Sequence, residues 1–282
     1  MKKLKFIFFS IVIITLLFYP YVTKYNKLIF ESIIFSLVPS IFPILILVNL
    51  SFELGCLDDI YSKIKNSSFG RFIYTLTLIL ICITLGMPSM QNIVENQREK
   101  GIISKKNKEI FINRIGSISF TFIYSISFIN LPRPISIIII TLYLFLSIFS
   151  LLLSEFKIEN IKIQQSSKAI NLSNVFMNSL KTMSLIICGI ILVSFPLFII
   201  ELIPNNIKLF FEGLIEFSYP CFLLSKKTNI YSYICLLFFY LFPSFSIVFQ
   251  SKLINKQLNI KNYLKTRFIT AVIGIILFLL LI

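Results

Sequence analysis

The sequence predicts an all-α polytopic membrane protein of two similar halves, each with a Pro/Gly-broken or re-entrant segment. Three observations lead there. Of 282 residues, 57% are hydrophobic and 14% charged, against roughly 45–50% and about 25% in soluble domains. The apolar residues come in long runs rather than alternating through compact elements. Basic linkers separate the runs, and they fix how many times the chain crosses between them.

Composition also excludes function classes. With 27 Lys+Arg against 12 Asp+Glu the net charge is +15. Anionic lipid headgroups fit this as partners, and nucleic acid does not, because no basic stripe is interleaved with a water-exposed aromatic platform. Histidine is absent, and Cys56, Cys82, Cys188, Cys221 and Cys235 are far apart, which removes imidazole chemistry, metal knuckles and redox pairs. No hydrolytic triad, Gly-rich nucleotide loop or two-carboxylate metal box occurs, so neither an enzyme nor a cofactor is expected. With 8 glycines and no such loop, a single-chain ATP-driven pump is excluded.

Taken in order, Lys2, Lys3 and Lys5 precede an apolar run from Phe6. Its exit, Tyr19-Pro20-Tyr21-Val22-Thr23-Lys24, lacks a small-x-small cleavage site, so it reads as a retained first membrane helix starting in the cytoplasm. Further apolar segments run Ile33 to Leu50, Phe72 to Met87, Ile115 to Ile129, Ile135 to Leu153, Met183 to Ile203, Leu209 to Leu224, Tyr231 to Phe249 and Phe268 to Ile282. Crossing about 30 Å of hydrocarbon takes roughly 20 helical residues. The Leu209 to Leu224 segment is short for that and contains Glu212 and Glu216.

The linkers Asn92 to Arg114, Glu155 to Lys181 and Ser251 to Arg267 are the basic ones. If all are cytoplasmic, an even number of crossings separates each pair. Ile115 to Leu153 fits as a hairpin turning at Leu131-Pro132-Arg133-Pro134. Three apolar segments precede Asn92 and three lie between Lys181 and Ser251, so one of each three enters and leaves on the same side. Pro39 and Pro43 mark Ile33 to Leu50 as one, and Gly213, Glu216 and Pro220 mark Leu209 to Leu224 as the other. Kinked spanning helices are the alternative. This gives a first repeat (1–130), a connecting helix and basic linker (131–181) and a second repeat (182–282). The Ser51 to Gly70 loop then falls outside.

Broken segments facing one another are where secondary transporters bind substrates and ions. Pro39 and Pro43 are candidates on that ground. Glu216, inside an apolar stretch, is costly unless it meets a partner, a water path, a proton or a coupling cation; the alternative places Glu212 and Glu216 at the wet interface. Ser246 and Gln250 lie one helical turn apart and can offer neutral hydrogen bonds. Gln91 and Asn92 follow Gly86-Met87-Pro88, the bland alternative being a helix that ends at Pro88 and caps with Ser89. Asn92 to Arg114 reads as two short amphipathic helices joined at Gly101, with Ser104 capping the second. Arg267 is either a snorkelling anchor or the partner of a substrate carboxylate.

Val38-Pro39-Ser40-Ile41-Phe42-Pro43, Gly86-Met87-Pro88, Arg98-Glu99-Lys100-Gly101-Ile102-Ile103-Ser104 and Gly213-Leu214-Ile215-Glu216-Phe217-Ser218 together resemble the stage V sporulation integral membrane protein family of endospore-forming Firmicutes. That family is related to nucleoside-transporter-like gate domain proteins. Ser218 matches its threonine after the glutamate, Ser246 and Gln250 match a Gly-Leu-Ser-Val-His-x-Gln stretch, and Arg267 matches a basic residue after the next linker. The chain departs from the family at Met90 (glycine there), Gly116 (asparagine), Phe120 (proline) and Val248 (histidine). The resemblance implies a secondary transporter of a small anionic metabolite, with dipicolinate as substrate, in a membrane around the forespore. Alternatives are a non-transporting structural or assembly protein and a nucleoside-type transporter. A homo-oligomer is left open.

Overall fold

The fold comes from a computed structural model, which describes residues 13, 19–64, 67–87, 89–116, 118–154, 172–194, 197, 200 and 204–282. Most of the first apolar run and most of the Glu155 to Lys181 linker lie outside the described residues. Among those described, every long element is a helix.

Helix α1 (Tyr19–Ser32), a π-helical turn (Ile33–Leu37) and α2 (Val38–Glu53) follow one another without a gap. Proline clashes with the carbonyl four residues back, and a widened turn is one way to absorb that. Here the widened turn lies immediately before Pro39, with Pro43 inside α2. This corrects the expectation of a broken segment: Lys27–Glu53 is a 27-residue stretch long and apolar enough to span, and Pro39 and Pro43 are exposed.

The chain instead doubles back one segment later. After α3 (Cys56–Ile64), α4 (Ser68–Leu85) begins with Ser67 Oγ accepting from the Gly70 amide at 2.8 Å and ends at Gly86, whose φ of 64° suits glycine alone. Helix α5 (Ser89–Glu99) then folds back along α4, so that Tyr74 OH donates to Gln97 Oε1 at 2.7 Å. Beyond α5, Lys100 Nζ sits 2.5 Å from Asp58 Oδ2 on α3. The Ser51 to Gly70 loop therefore lies at the same end as Asn92 to Arg114, not at the opposite one. Helices α4 and α5 thus form a hairpin whose open end lies beside Asp58 on α3.

Helix α6 (Lys105–Arg114) follows a turn at Gly101 (φ 74°), and Ser104 Oγ accepts from the Asn107 amide at 3.2 Å, the cap expected from the sequence. A non-helical stretch leads to α7 (Phe120–Asn130), and Pro132 starts α8 (Arg133–Leu152). Helix α9 (Leu172–Ser194) precedes α10 (Asn205–Ile215), which breaks at Glu216–Phe217 before α11 (Ser218–Ser225). Helices α12 (Ile230–Leu241) and α13 (Phe245–Ile254) are separated by Phe242-Pro243-Ser244, and α14 (Ile260–Leu281) closes the chain.

Lys27–Glu53, α8, α9, the Ile230–Ile254 stretch and α14 have the length and hydropathy to cross a membrane. Helix α14 packs on α12, α8 and α6, and α9 packs on α2 and α13. The outside is apolar: Phe35 is 78% exposed, and Ile129 and Leu280 are each 77% exposed. Meanwhile Gln91, Glu216, Gln250 and Arg267 are buried. That inversion of the water-soluble pattern is what a lipid solvent selects, and the chain is an integral membrane protein.

Candidate functional site

The helix interruptions meet around α7. At the α4–α5 turn a Cβ on Gly86 would stand 2.3 Å from the Ser119 amide nitrogen, so only glycine permits this approach. Ser119 Oγ donates to the Thr84 carbonyl at 2.6 Å, tying the end of α4 to the break before α7. Tyr143 OH, reaching from α8, donates to the Ile118 carbonyl at 2.5 Å. It fills the space over Gly116, where a Cβ would meet the hydroxyl at 2.0 Å. From the second half, Phe217 packs edge-on against Phe122 (5.3 Å between ring centres), and Tyr240 OH lies 3.1 Å from Ser127 Oγ.

Glu216 is wholly buried, with extended backbone (φ −139°, ψ 122°) at the break between α10 and α11. Its Oε1 accepts from the Ser218 amide at 2.9 Å and the Ser218 hydroxyl at 2.6 Å, while Oε2 accepts from the Tyr219 amide at 3.3 Å. A carboxylate at a helix N-terminus satisfies orphan amides and meets the positive end of the helix dipole. Glu216 and Ser218 therefore form one unit. Glu212, 3% exposed, is buried as well, which overturns the wet-interface alternative for both glutamates.

Ser246 and Gln250 are both buried on α13, and each engages the protein. Ser246 Oγ pairs with Ser244 Oγ at 2.8 Å. Gln250 Nε2 donates to the Ile186 carbonyl of α9 at 3.1 Å, its side chain lying over Gly189, where a Cβ would meet Cγ at 2.4 Å.

Arg267 is the most demanding group. It is 0% exposed, and Nε, Nη1 and Nη2 have no hydrogen-bond partner. The charged or titratable side chains acting on it are Tyr263 on its own helix, Tyr143 on α8 and Arg114 at the end of α6. Snorkelling is therefore excluded. A buried guanidinium stays charged and carries a desolvation cost of several kcal/mol unless an anion or acceptors meet it.

Gln91 and Asn92 stand elsewhere, in the basic end. Gln91 is 1% exposed with both amide atoms unpartnered, and Asn92 is exposed. Both line a cavity of about 360 Å³ between the α5–α6 hairpin and the end of α13. Asn92 also borders a cavity of about 400 Å³ that reaches Glu53, Asn178, Lys181 and Ile254. The chain near Glu53, Asn92, Lys181 and Ile254 thus gathers at one end, which places parts of all three basic linkers together. In the first cavity Glu95 accepts from Arg98 at 2.5 Å and from Lys108; the Arg98 hydrogen bond is the main cause holding its carboxyl below the usual range.

The candidates accordingly fall in three places: Pro39 and Pro43 on the outer face; Glu216, Ser218, Ser246, Gln250 and Arg267 in the interior; Gln91 and Asn92 at the basic end. Neither cavity lining includes Glu216 or Gln250. Sequence reasoning missed Tyr143, Gly189 and Ser119. Glycines inside otherwise apolar segments were the available signal, since each marks a close approach. Among the described residues no cluster of three or more His, Cys, Asp or Glu could hold a metal ion, and all five cysteines are free thiols.

These features define a helical integral membrane protein with interrupted helices and a polar interior. Comparison with protein-family models, curated proteins and solved structures returns no match to the chain.

Proposed function

We propose that the protein is a secondary transporter of a small anionic metabolite. The observation that carries this is Arg267, a fully buried cation with no hydrogen-bond partner, set among interrupted helices. A fold gains nothing from such a group by itself, whereas a ligand carboxylate arriving there meets a partner whose desolvation has already been borne by folding. Half-helices ending inside the bilayer are the usual frame for such sites.

In this reading, α4–α5 and the 205–225 region are the re-entrant elements of two similar halves, each followed by an interrupted helix, α6–α7 and α12–α13. Substrate binds between their inner ends. Ser246 and Gln250 orient it by exchanging their present partners for the ligand, and Glu216 couples transport to a proton or cation by exchanging its Ser218 contacts. The family resemblance adds dipicolinate as the substrate and a membrane around the forespore as the place.

Purified protein reconstituted in vesicles tests this by flux of dipicolinate, other small aromatic carboxylates and nucleosides, with and without a pH gradient. Saturable carboxylate flux above protein-free vesicles is expected, with Glu216→Gln losing its gradient dependence. Flux of nucleosides alone would make it a nucleoside-type transporter. No flux across the whole panel would leave the structural or assembly role.

A further inference from the structure

Helices α8 and α14 pack against each other and leave an open groove of about 260 Å³ whose lining does not include Arg267. Its two ends differ in chemistry. At one end stands Arg114, the last residue of α6 and of a basic linker, whose Nη1 donates to the Ser150 carbonyl at 3.1 Å. That bond holds the guanidinium at the mouth of the groove, and a guanidinium has further donors to offer. Beyond Arg114 and Thr266 the lining turns apolar. Leu146, 5% exposed, lies in the floor, while Phe149 and Ile273 stay open on the two sides at 43% and 45%. The rings of Phe145 and Phe149 stack with centres 5.2 Å apart and make the α8 wall. From Thr266 to Leu277 the groove follows α14 for about 16 Å at 1.5 Å per residue. One leaflet, half of a hydrocarbon core about 30 Å thick, has nearly that depth.

We propose that this groove is a binding site for one anionic phospholipid, with its phosphate on Arg114 and an acyl chain lying between α8 and α14. The order of polarity along the groove, a cation first and then an apolar channel one leaflet deep, is the order within such a lipid. Guanidinium pairs with phosphate through parallel hydrogen bonds. Lys261 and Lys265, exposed on the first turns of α14 before Thr266, add positive potential at the headgroup level. A soluble anion leaves the apolar channel empty, and the apolar face of a second copy leaves Arg114 without a counter-charge. The site needs no transport step. Binding is read on solubilised protein with no gradient, so absence of flux does not bear on it.

Phosphatidylglycerol is the probe, titrated into the delipidated full chain in detergent while circular dichroism follows the melting temperature, which a ligand of the folded state raises. Phosphatidylcholine with the same acyl chains supplies the tail without net charge, and glycerol phosphate supplies the charge without the tail. Phosphatidylglycerol should act saturably at concentrations about tenfold or more below phosphatidylcholine, a difference of about 1.4 kcal/mol, and glycerol phosphate should not act. Arg114→Gln should bring phosphatidylglycerol to the level of phosphatidylcholine. Lys265→Gln, an exposed change outside the groove lining, should keep most of the preference, which separates the site from the general attraction of a basic protein to anionic lipid. Ile273→Trp, which fills the channel from an exposed position, should weaken both lipids. The proposal fails if the wild type responds equally to the two lipids, or if Arg114→Gln keeps the preference. A dimer that Ile273→Trp splits with lipid binding unchanged would also overturn it and assign the groove to a second copy.

Discussion

At the scale of single residues, glycines and the groups they admit explain the interior. Gly86 combines a φ of 64° and ψ of −172° with backbone contact to Ser119. Replacing it with alanine strains the backbone and collides with a main-chain nitrogen, so Gly86→Ala should lower thermal stability in detergent by about 1–3 kcal/mol or prevent folding. Gly116 is a different case, since its obstacle is the Tyr143 side chain, with Cζ at 2.5 Å and Cε2 at 2.8 Å behind the hydroxyl. Gly116→Ala should destabilise by about 1–3 kcal/mol through overpacking, and it should cost less in a Tyr143→Leu background, where the ring is gone; an equal loss of melting temperature in both backgrounds would separate the two positions energetically. Glu216 stood out in the sequence because charge in an apolar run has few cheap explanations, whereas the burial of Arg267, at the end of a basic linker, did not. The Glu216–Ser218 contact is local, but the absence of acceptors around Arg267 depends on how distant helices meet.

At the scale of elements, the sequence announced breaks but not which of them turn the chain around. Two prolines one turn apart looked like the stronger interruption, yet a π turn lets the helix continue past them. The decisive signal was Gly86, because a positive φ at a helix C-terminus redirects the chain. Helices α5 and α6 were read correctly, since Ser104 and Gly101 act locally and need no tertiary knowledge. If α4–α5 is a hairpin, residues 58 and 100 are neighbours. In a background without the native cysteines, Asp58→Cys and Lys100→Cys together should be joined by a short bis-maleimide in high yield. Failure to cross-link, with each cysteine accessible from a different side of the membrane, would restore α4 as a crossing helix.

At the scale of the whole molecule, an apolar exterior encloses buried polar groups. Membrane character was legible because it rests on composition and run length, which survive any error in element boundaries. The common end of the basic linkers followed from charge bias, and the cavities bordered by Asn92 and Ile254 agree with it. The surroundings of Arg267 were not legible, because they join side chains from α6, α8 and α14 that are far apart in sequence.

The proposed function requires that Arg267 be kept buried for the negative charge of a ligand. It is tested most directly by comparing wild type and Arg267→Gln, reconstituted in equal amounts, for carboxylate uptake, together with the melting temperature of each in detergent. Removing an unpaired buried charge relieves desolvation, so the melting temperature should hold or rise. Uptake should fall about 30-fold or more, the equivalent of about 2 kcal/mol or more for a lost buried ion pair. Full uptake by Arg267→Gln, or a clear loss of stability that tracks its loss of uptake, would contradict the account and make Arg267 a structural residue.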